Sequence, residues 1–260
     1  MRKAFALLLA LALPAQAESP PQILAAEILP GWTTESGTRM AALHLQLAPG
    51  WKTYWRSPGD AGLPPQFDWS GSANLAGAQL HWPTPQVFER DGVQTIGYRD
   101  ELILPIELTP VDPTQPMQIA ARIDLGICED VCMPAALDLD ANLGGAQPQP
   151  TEDPRIAAAL AHLPETETGG VACEVEPISD GVRVTARFDM PGITDPQAVV
   201  IEPAEAGIWV SDAVLEQQAG KLTAEADLVP GAGKPFDLDT SGLRMTVLGK
   251  DGAVEITGCD

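Results

Sequence analysis

The sequence predicts an all-β protein of two domains in series with one short helix between them. Three observations carry that prediction. Gly and Pro together number 24 + 25 = 49, which favours short strands and many turns over long helices. Apolar residues recur at period two in several stretches, as in half-buried strands. A run of linker composition, Gly144-Gly145-Ala146-Gln147-Pro148-Gln149-Pro150, divides the chain past its middle. Hydrophobic residues make up 45% of the 260, enough to fill a core in each part.

The chain opens on a basic Met1-Arg2-Lys3, an apolar run from Ala4 to Leu13, and Pro14-Ala15-Gln16-Ala17, which ends in a small-x-small pattern. These features predict a signal peptide over residues 1–17, cleaved after Ala17. The apolar run is shorter than the roughly 20 residues a spanning helix needs, and no later stretch approaches that length, so no membrane insertion is expected. The compartment this implies is exported and oxidising, where cysteines pair unless something reduces them.

The first β domain is expected over residues 18–147. Leu43, Leu45 and Leu47 alternate with His44 and Gln46; Met117, Ile119, Ala121, Ile123 and Leu125 alternate with polar neighbours; so do Leu137, Leu139, Ala141 and Leu143. Residues 49–100 are dense in Gly, Pro and Asp and read as turns and long loops. Trp32, Trp51, Trp55, Trp69 and Trp82 all fall in this half, which points to an aromatic-filled core or surface. Residues 148–164 are expected to hold the linker and the helix, with Asp153 as N-cap, Pro154 in the first turn, and Ile156, Ala157, Leu160 and Leu163 at helical spacing. The β pattern resumes over 165–260, at Val182 to Ala186, Ala198 to Ile201, Ile208 to Val210, Leu243 to Leu248 and Val254 to Ile256, as in a second, smaller sandwich.

Charge narrows the function. Lys and Arg number 15 against 36 Asp and Glu, a formal charge of −21. A surface of that sign repels phosphate backbones and anionic headgroups, which argues against nucleic-acid or membrane-surface binding. No P-loop, dinucleotide fingerprint or Ser/His/Asp grouping is present, and His44, His81 and His162 have no ligand spacing to the cysteines, so no cofactor and no histidine-ligated metal is expected.

The four cysteines carry the remaining chemistry. Their positions imply one close pair, Cys128 with Cys132, and one distant pair, Cys173 with Cys259, of three possible arrangements. A bridge closing about 87 residues stabilises by roughly 4.6 kcal/mol in the chain-entropy treatment, against roughly 2 kcal/mol for about 5 residues. The distant pair therefore reads as a structural staple of the second domain. If the strand from Met117 continues without a bulge, both close cysteines fall on the outward parity; a bulge at Gly126 would reverse this. Glu129 and Asp130 lie between the two sulfurs and should raise the thiol pKa, which favours the disulfide and makes the dithiol an electron donor. Redox exchange, a plain hairpin disulfide and a Cu(I) site with Met133 all stay open on these grounds.

Trp51-Lys52-Thr53-Tyr54-Trp55-Arg56-Ser57-Pro58-Gly59-Asp60, His81-Trp82-Pro83-Thr84-Pro85, Ile96-Gly97-Tyr98-Arg99-Asp100-Glu101 and Cys128 to Pro134 occur in an order that resembles the N-terminal periplasmic domain of DsbD-type thiol:disulfide interchange proteins. The likeness is nearest to the branch called ScsB, linked to copper tolerance; the wider family serves cytochrome c biogenesis. It covers about residues 25–145. The resemblance implies an immunoglobulin-like sandwich in the periplasm, with Cys128 and Cys132 as the redox pair. That pair would take electrons from a membrane-embedded thiol reductant and pass them to periplasmic thioredoxin-fold proteins. It implies an aromatic cap near Phe88, with Tyr98 and Trp55 as further site-lining candidates, and by analogy Cys132, which precedes a Pro by two residues, as the cysteine that bonds the partner. The family's membrane-spanning and thioredoxin-like domains have no counterpart here. The rival reading is a non-catalytic module for copper handling or assembly in which Cys128–Cys132 is structural.

Overall fold

The computed structural model describes residues 22–144, 152–189, 195–218 and 221–260. The expected signal peptide and most of the linker-like run lie outside the described residues.

The first sandwich holds β1 (Ile23–Thr33), β2 (Arg39–Leu47), β3 (Lys52–Tyr54), β4 (Gln66–Asp68), β5 (Leu75–Leu80), β6 (Gln86–Arg90), β7 (Val93–Arg99), β8 (Glu101–Pro110), β9 (Met117–Cys128) and β10 (Cys132–Leu143). One sheet runs β1-β2-β8-β5; the other runs β10-β9-β3-β7-β6, with β4 also on β9. This is the immunoglobulin-like layering of two antiparallel sheets around one core. The inward residues are those the alternation marked: Leu43, Leu45, Leu104, Ile106, Ile119 and Ile123 are buried together. Trp55, Trp82 and Tyr98 fill the same core.

Residues 49–100 differ from expectation: they contain β3 to β7 as well as turns. These strands have 3 to 7 residues, too few to display a period; β6 and β7 pair as a local hairpin, and the remaining pairings are with neighbours distant in sequence.

The helix α1 (Pro154–Leu160) begins where the cap signals put it. The Asp153 carboxylate accepts from the Arg155 backbone N–H at 2.9 Å. It ends before Leu163. Its fully buried Ile156 packs with Leu29, Met40 and Ala42, so the helix lies on the β1-β2-β8 sheet.

The second sandwich has β11 (Glu165–Glu167), β12 (Val171–Pro177), β13 (Val182–Phe188), β14 (Pro196–Glu202), β15 (Ile208–Val210), β16 (Val214–Gln218), β17 (Lys221–Pro230), β18 (Arg244–Gly249) and β19 (Ala253–Thr257). Its sheets run β11-β19-β18-β14 and β12-β13-β17-β15, with β16 also on β17. Val184, Ala224, Leu228, Met245, Val247 and Ile256 are its fully buried centre.

The two sandwiches meet at a partly buried ion cluster. Arg56 donates to both carboxylate oxygens of Glu202 at 2.9–3.2 Å and to Glu255 at 2.6 Å; Ser57 Oγ donates to Glu202 at 2.6 Å. Arg244 reaches the same carboxylate at 3.1 Å. Burial works against the Arg56 charge, yet the hydrogen bonds and charges of Glu202 and Glu255 outweigh it and hold its pKa above the ordinary value. Burial likewise opposes the Glu202 charge, and Arg56, Arg244 and Ser57 outweigh it, so its pKa lies below the usual carboxylate value.

Candidate functional site: a roofed disulfide at a hairpin tip

β9 and β10 form one hairpin whose register runs unbroken from Met117↔Leu143 to Cys128↔Cys132. Gly126 does not bulge. Both cysteines therefore keep the outward parity, and the structure joins them in a disulfide with Cα atoms 4.2 Å apart.

Parity names the face but not what covers it. Cys128 is fully buried, whereas Cys132 is exposed. The cover comes from β3, which lies between β9 and β7 with Lys52 opposite Cys128 and Thr53 opposite Ile127. Tyr54, one residue further, extends its ring over Gly126. A Cβ on Gly126 would lie 2.9 Å from Cδ2 and Cε2 of that ring, so the close approach depends on glycine. The ring delivers its hydroxyl to the sulfurs, 2.8 Å from Cys128 Sγ and 3.0 Å from Cys132 Sγ. A disulfide has no proton to give, so the phenol donates and the sulfurs accept. Burial holds the Tyr54 pKa above the usual tyrosine value, which keeps that proton in place.

Cations flank the pair. Lys52 Nζ donates to Thr95 Oγ1 at 2.7 Å and lies 4.8 Å from the centre of the Phe88 ring, which Arg99 approaches at 4.9 Å. Burial, then the Arg99 and Arg90 charges, pulls the Lys52 pKa below its ordinary value. Arg90, at the end of β6, donates to Asp130 at 2.6 Å and to the Glu129 carbonyl at 3.4 Å. The acidic turn expected to disfavour the thiolate is therefore partly neutralised by Arg90.

Residues 21–143 match the family model of the N-terminal region of thiol:disulfide interchange protein DsbD. In this segment the chain resembles DsbD-type N-terminal domains. Over 89% of this chain and 89% of the other, the structure is similar to the N-terminal periplasmic domain of ScsB from Proteus mirabilis, with a TM-score of 0.64 and 26% identity. No curated protein matches the sequence. Both findings support a thiol:disulfide interchange domain over residues 21–143, and the likeness to ScsB extends through the second sandwich.

Within the DsbD-like segment, the aromatic residues singled out in the sequence lie as follows. Trp55 is fully buried in the core, with the Arg56 guanidinium 4.2 Å from its ring centre. Tyr98 is buried, stacks on Trp82 and donates to the Pro83 carbonyl at 2.7 Å. Phe88 lies on β6 between two cations. The residue on the sulfurs is Tyr54, which the sequence reading passed over. Its signal was a Tyr next to Trp55 and a lone Gly inside an otherwise regular strand, the mark of a close approach. Cys173 and Cys259 form the other disulfide, half-buried against the second core.

Proposed function

We propose that the protein is a periplasmic dithiol–disulfide relay that carries reducing equivalents from a membrane-embedded thiol reductant to thioredoxin-fold partners. The observation that carries this reading is the asymmetry of the pair: Cys132 is open to solvent while Cys128 is enclosed beneath the Tyr54 hydroxyl. Exchange requires an attacking thiolate to approach one sulfur in line and expel the other. Only Cys132 offers that approach.

In the oxidised protein the reductant's thiolate attacks Cys132 Sγ, the disulfide breaks, and Cys128 leaves as a thiolate that accepts a hydrogen bond from Tyr54. The reductant's second thiolate then displaces Cys132, so two electrons enter and the reductant leaves as its own disulfide. Protons from solvent complete the dithiol. In delivery the Cys132 thiolate attacks a partner disulfide and releases one partner thiolate. Cys128 then resolves the mixed disulfide, leaving the partner as a dithiol and this pair oxidised. Cys128 and Cys132 are the reacting residues; Tyr54 steadies the charge on the enclosed sulfur. The likeness to a periplasmic ScsB domain supports the compartment, as does the expected signal peptide.

The reading predicts that a mild dithiol opens Cys128–Cys132 well before Cys173–Cys259, as thiol labelling with mass mapping would show. It predicts that Cys128→Ala, with Cys132 free, accumulates mixed disulfides with thioredoxin-fold proteins in cells, and that Cys132→Ala does so far less. Equal resistance of both bridges would mean that Cys128–Cys132 is structural and would end the relay reading.

A further inference from the structure

The second sandwich has no part in the exchange steps above, yet its ion cluster ends two residues from the phenol on the sulfurs. β3 has three residues, and its last one, Tyr54, carries that hydroxyl. The next residue, Trp55, is fully buried and its N–H donates to the Ile96 carbonyl at 3.0 Å. Arg56 follows, with its guanidinium 4.2 Å from the Trp55 ring centre. The far side of that guanidinium is taken by Glu202 and Glu255 of the second sandwich.

The holding end is itself rigidly built. Glu202 and Arg244 are direct partners across β14 and β18, and Thr246 opposite Glu255 continues the arrangement onto β19. Arg244 and Ser57 both donate to Glu202, which fixes the carboxylate that grips Arg56. Side-chain exposure is 15% for Arg56 and 14% for Glu202, so neither can exchange its partner for water at little cost. A three-residue strand has few ladder bonds of its own to fix its exit; Trp55 anchors that exit in the first sandwich, and Arg56 adds a second anchor from the other one.

The geometry points to Glu202 as a positioning residue for the disulfide chemistry: through Arg56 and Trp55, the second sandwich holds the Tyr54 phenol against Cys128 and Cys132. The inference rests on the relay reading, in which Cys128 departs as a thiolate. A hydrogen bond to a charged group stabilises it by enough to change the thiolate fraction about tenfold. A phenol that wanders gives part of that up.

The test is the thiolate titration of the reduced Cys128/Cys132 pair, followed by ultraviolet absorbance against pH in protein whose Cys173–Cys259 bridge stays oxidised. Tyr54→Phe is expected to lower the thiolate fraction at fixed pH about tenfold. Glu202→Ala is expected to lower it at least about threefold, and the double variant to titrate like Tyr54→Phe alone, because both act through one hydrogen bond. Asp227→Ala is the control. It breaks an ion pair with Arg183, whose hydrogen bonds of 2.7 and 3.0 Å lie wholly within the second sandwich, and is expected to leave the titration unchanged. Wild-type titration in a folded Glu202→Ala protein overturns the inference, as does a shift that adds fully to that of Tyr54→Phe. If Glu202→Ala does not fold, Glu202→Gln, which keeps the length and one acceptor, is judged by the same two criteria. Failure of the wild-type pair to open with a small dithiol would instead sink the relay reading itself.

Discussion

Cys128 and Cys132 face each other across a hairpin tip, four residues apart, whereas Cys173 on β12 is joined to Cys259 just after β19, 86 residues away. The first bridge joins a fully buried cysteine to an exposed one, with a phenol hydroxyl on both sulfurs. The second is half-buried at both ends, beside a C-terminus tied down by the Asp260 N–H to the Val171 carbonyl and by the Asp260 carboxylate to the Gly170 N–H, both 2.8 Å. Loop length fixes how much each can stabilise, and access fixes how readily each can react. On the proposed reading, the difference lets one oxidised chain hold a bridge for folding and a bridge for exchange, separated on both counts.

The largest effect comes from deleting the bridges in turn. Cys173→Ser with Cys259→Ser is expected to destabilise the protein by up to about 4.6 kcal/mol, and Cys128→Ser with Cys132→Ser by about 2 kcal/mol. Urea titration of both double variants checks the ordering. Equal losses would break the comparison, since the close pair would then be acting as a staple as well.

Gly126 sharpens the exchange side. Its missing side chain is what lets Tyr54 lie across β9, and Leu63 Cβ would also be 3.0 Å from a Cβ placed there. Gly126→Ala forces the ring away and overpacks the site, at about 1–3 kcal/mol. The ring carries the hydroxyl with it and the departing Cys128 thiolate loses its hydrogen bond, so the substitution should also slow opening of Cys128–Cys132 by a small dithiol while leaving Cys173–Cys259 untouched. Faster opening would mean that the phenol acts as a shield over the sulfurs and not as a donor to the departing thiolate.

The same contrast explains what the sequence discloses. Long alternating strands such as β2, β9 and β10 announce themselves, because a run of 9 to 12 residues repeats its period several times. The cap of α1 is equally local. The cysteine spacing alone separates a staple from a candidate working pair. Tyr54 escapes because its position depends on β3 lying between β7 and β9, which are more than 38 residues away in sequence. Burial of Cys128 escapes for the same reason: parity is a property of one strand, and cover is a property of its neighbours. The Arg56 cluster is further out of reach, since it joins residues 146 and 199 positions apart.

The smallest expected effect tests the electrostatics of the hairpin tip. Arg90 reaches Asp130 across open solvent, its side chain 60% exposed and its partner's 78%. Such a pair contributes little to folding, so Arg90→Ala should leave the urea midpoint where it is. Asp130, relieved of its partner, then acts with Glu129 on the sulfurs between which it sits, and a carboxylate near a thiol opposes the thiolate. The thiolate fraction of the reduced pair should fall by roughly twofold at low ionic strength, the size expected for one unit charge several ångströms away in water. Salt screens exposed charges over about 10 Å at 0.1 M, so the difference between variant and wild type should shrink as salt is added. The Tyr54 contribution is enclosed and should persist at the same salt. A shift for Arg90→Ala that survives high salt would show that the arginine holds the turn in place as well as neutralising its charge.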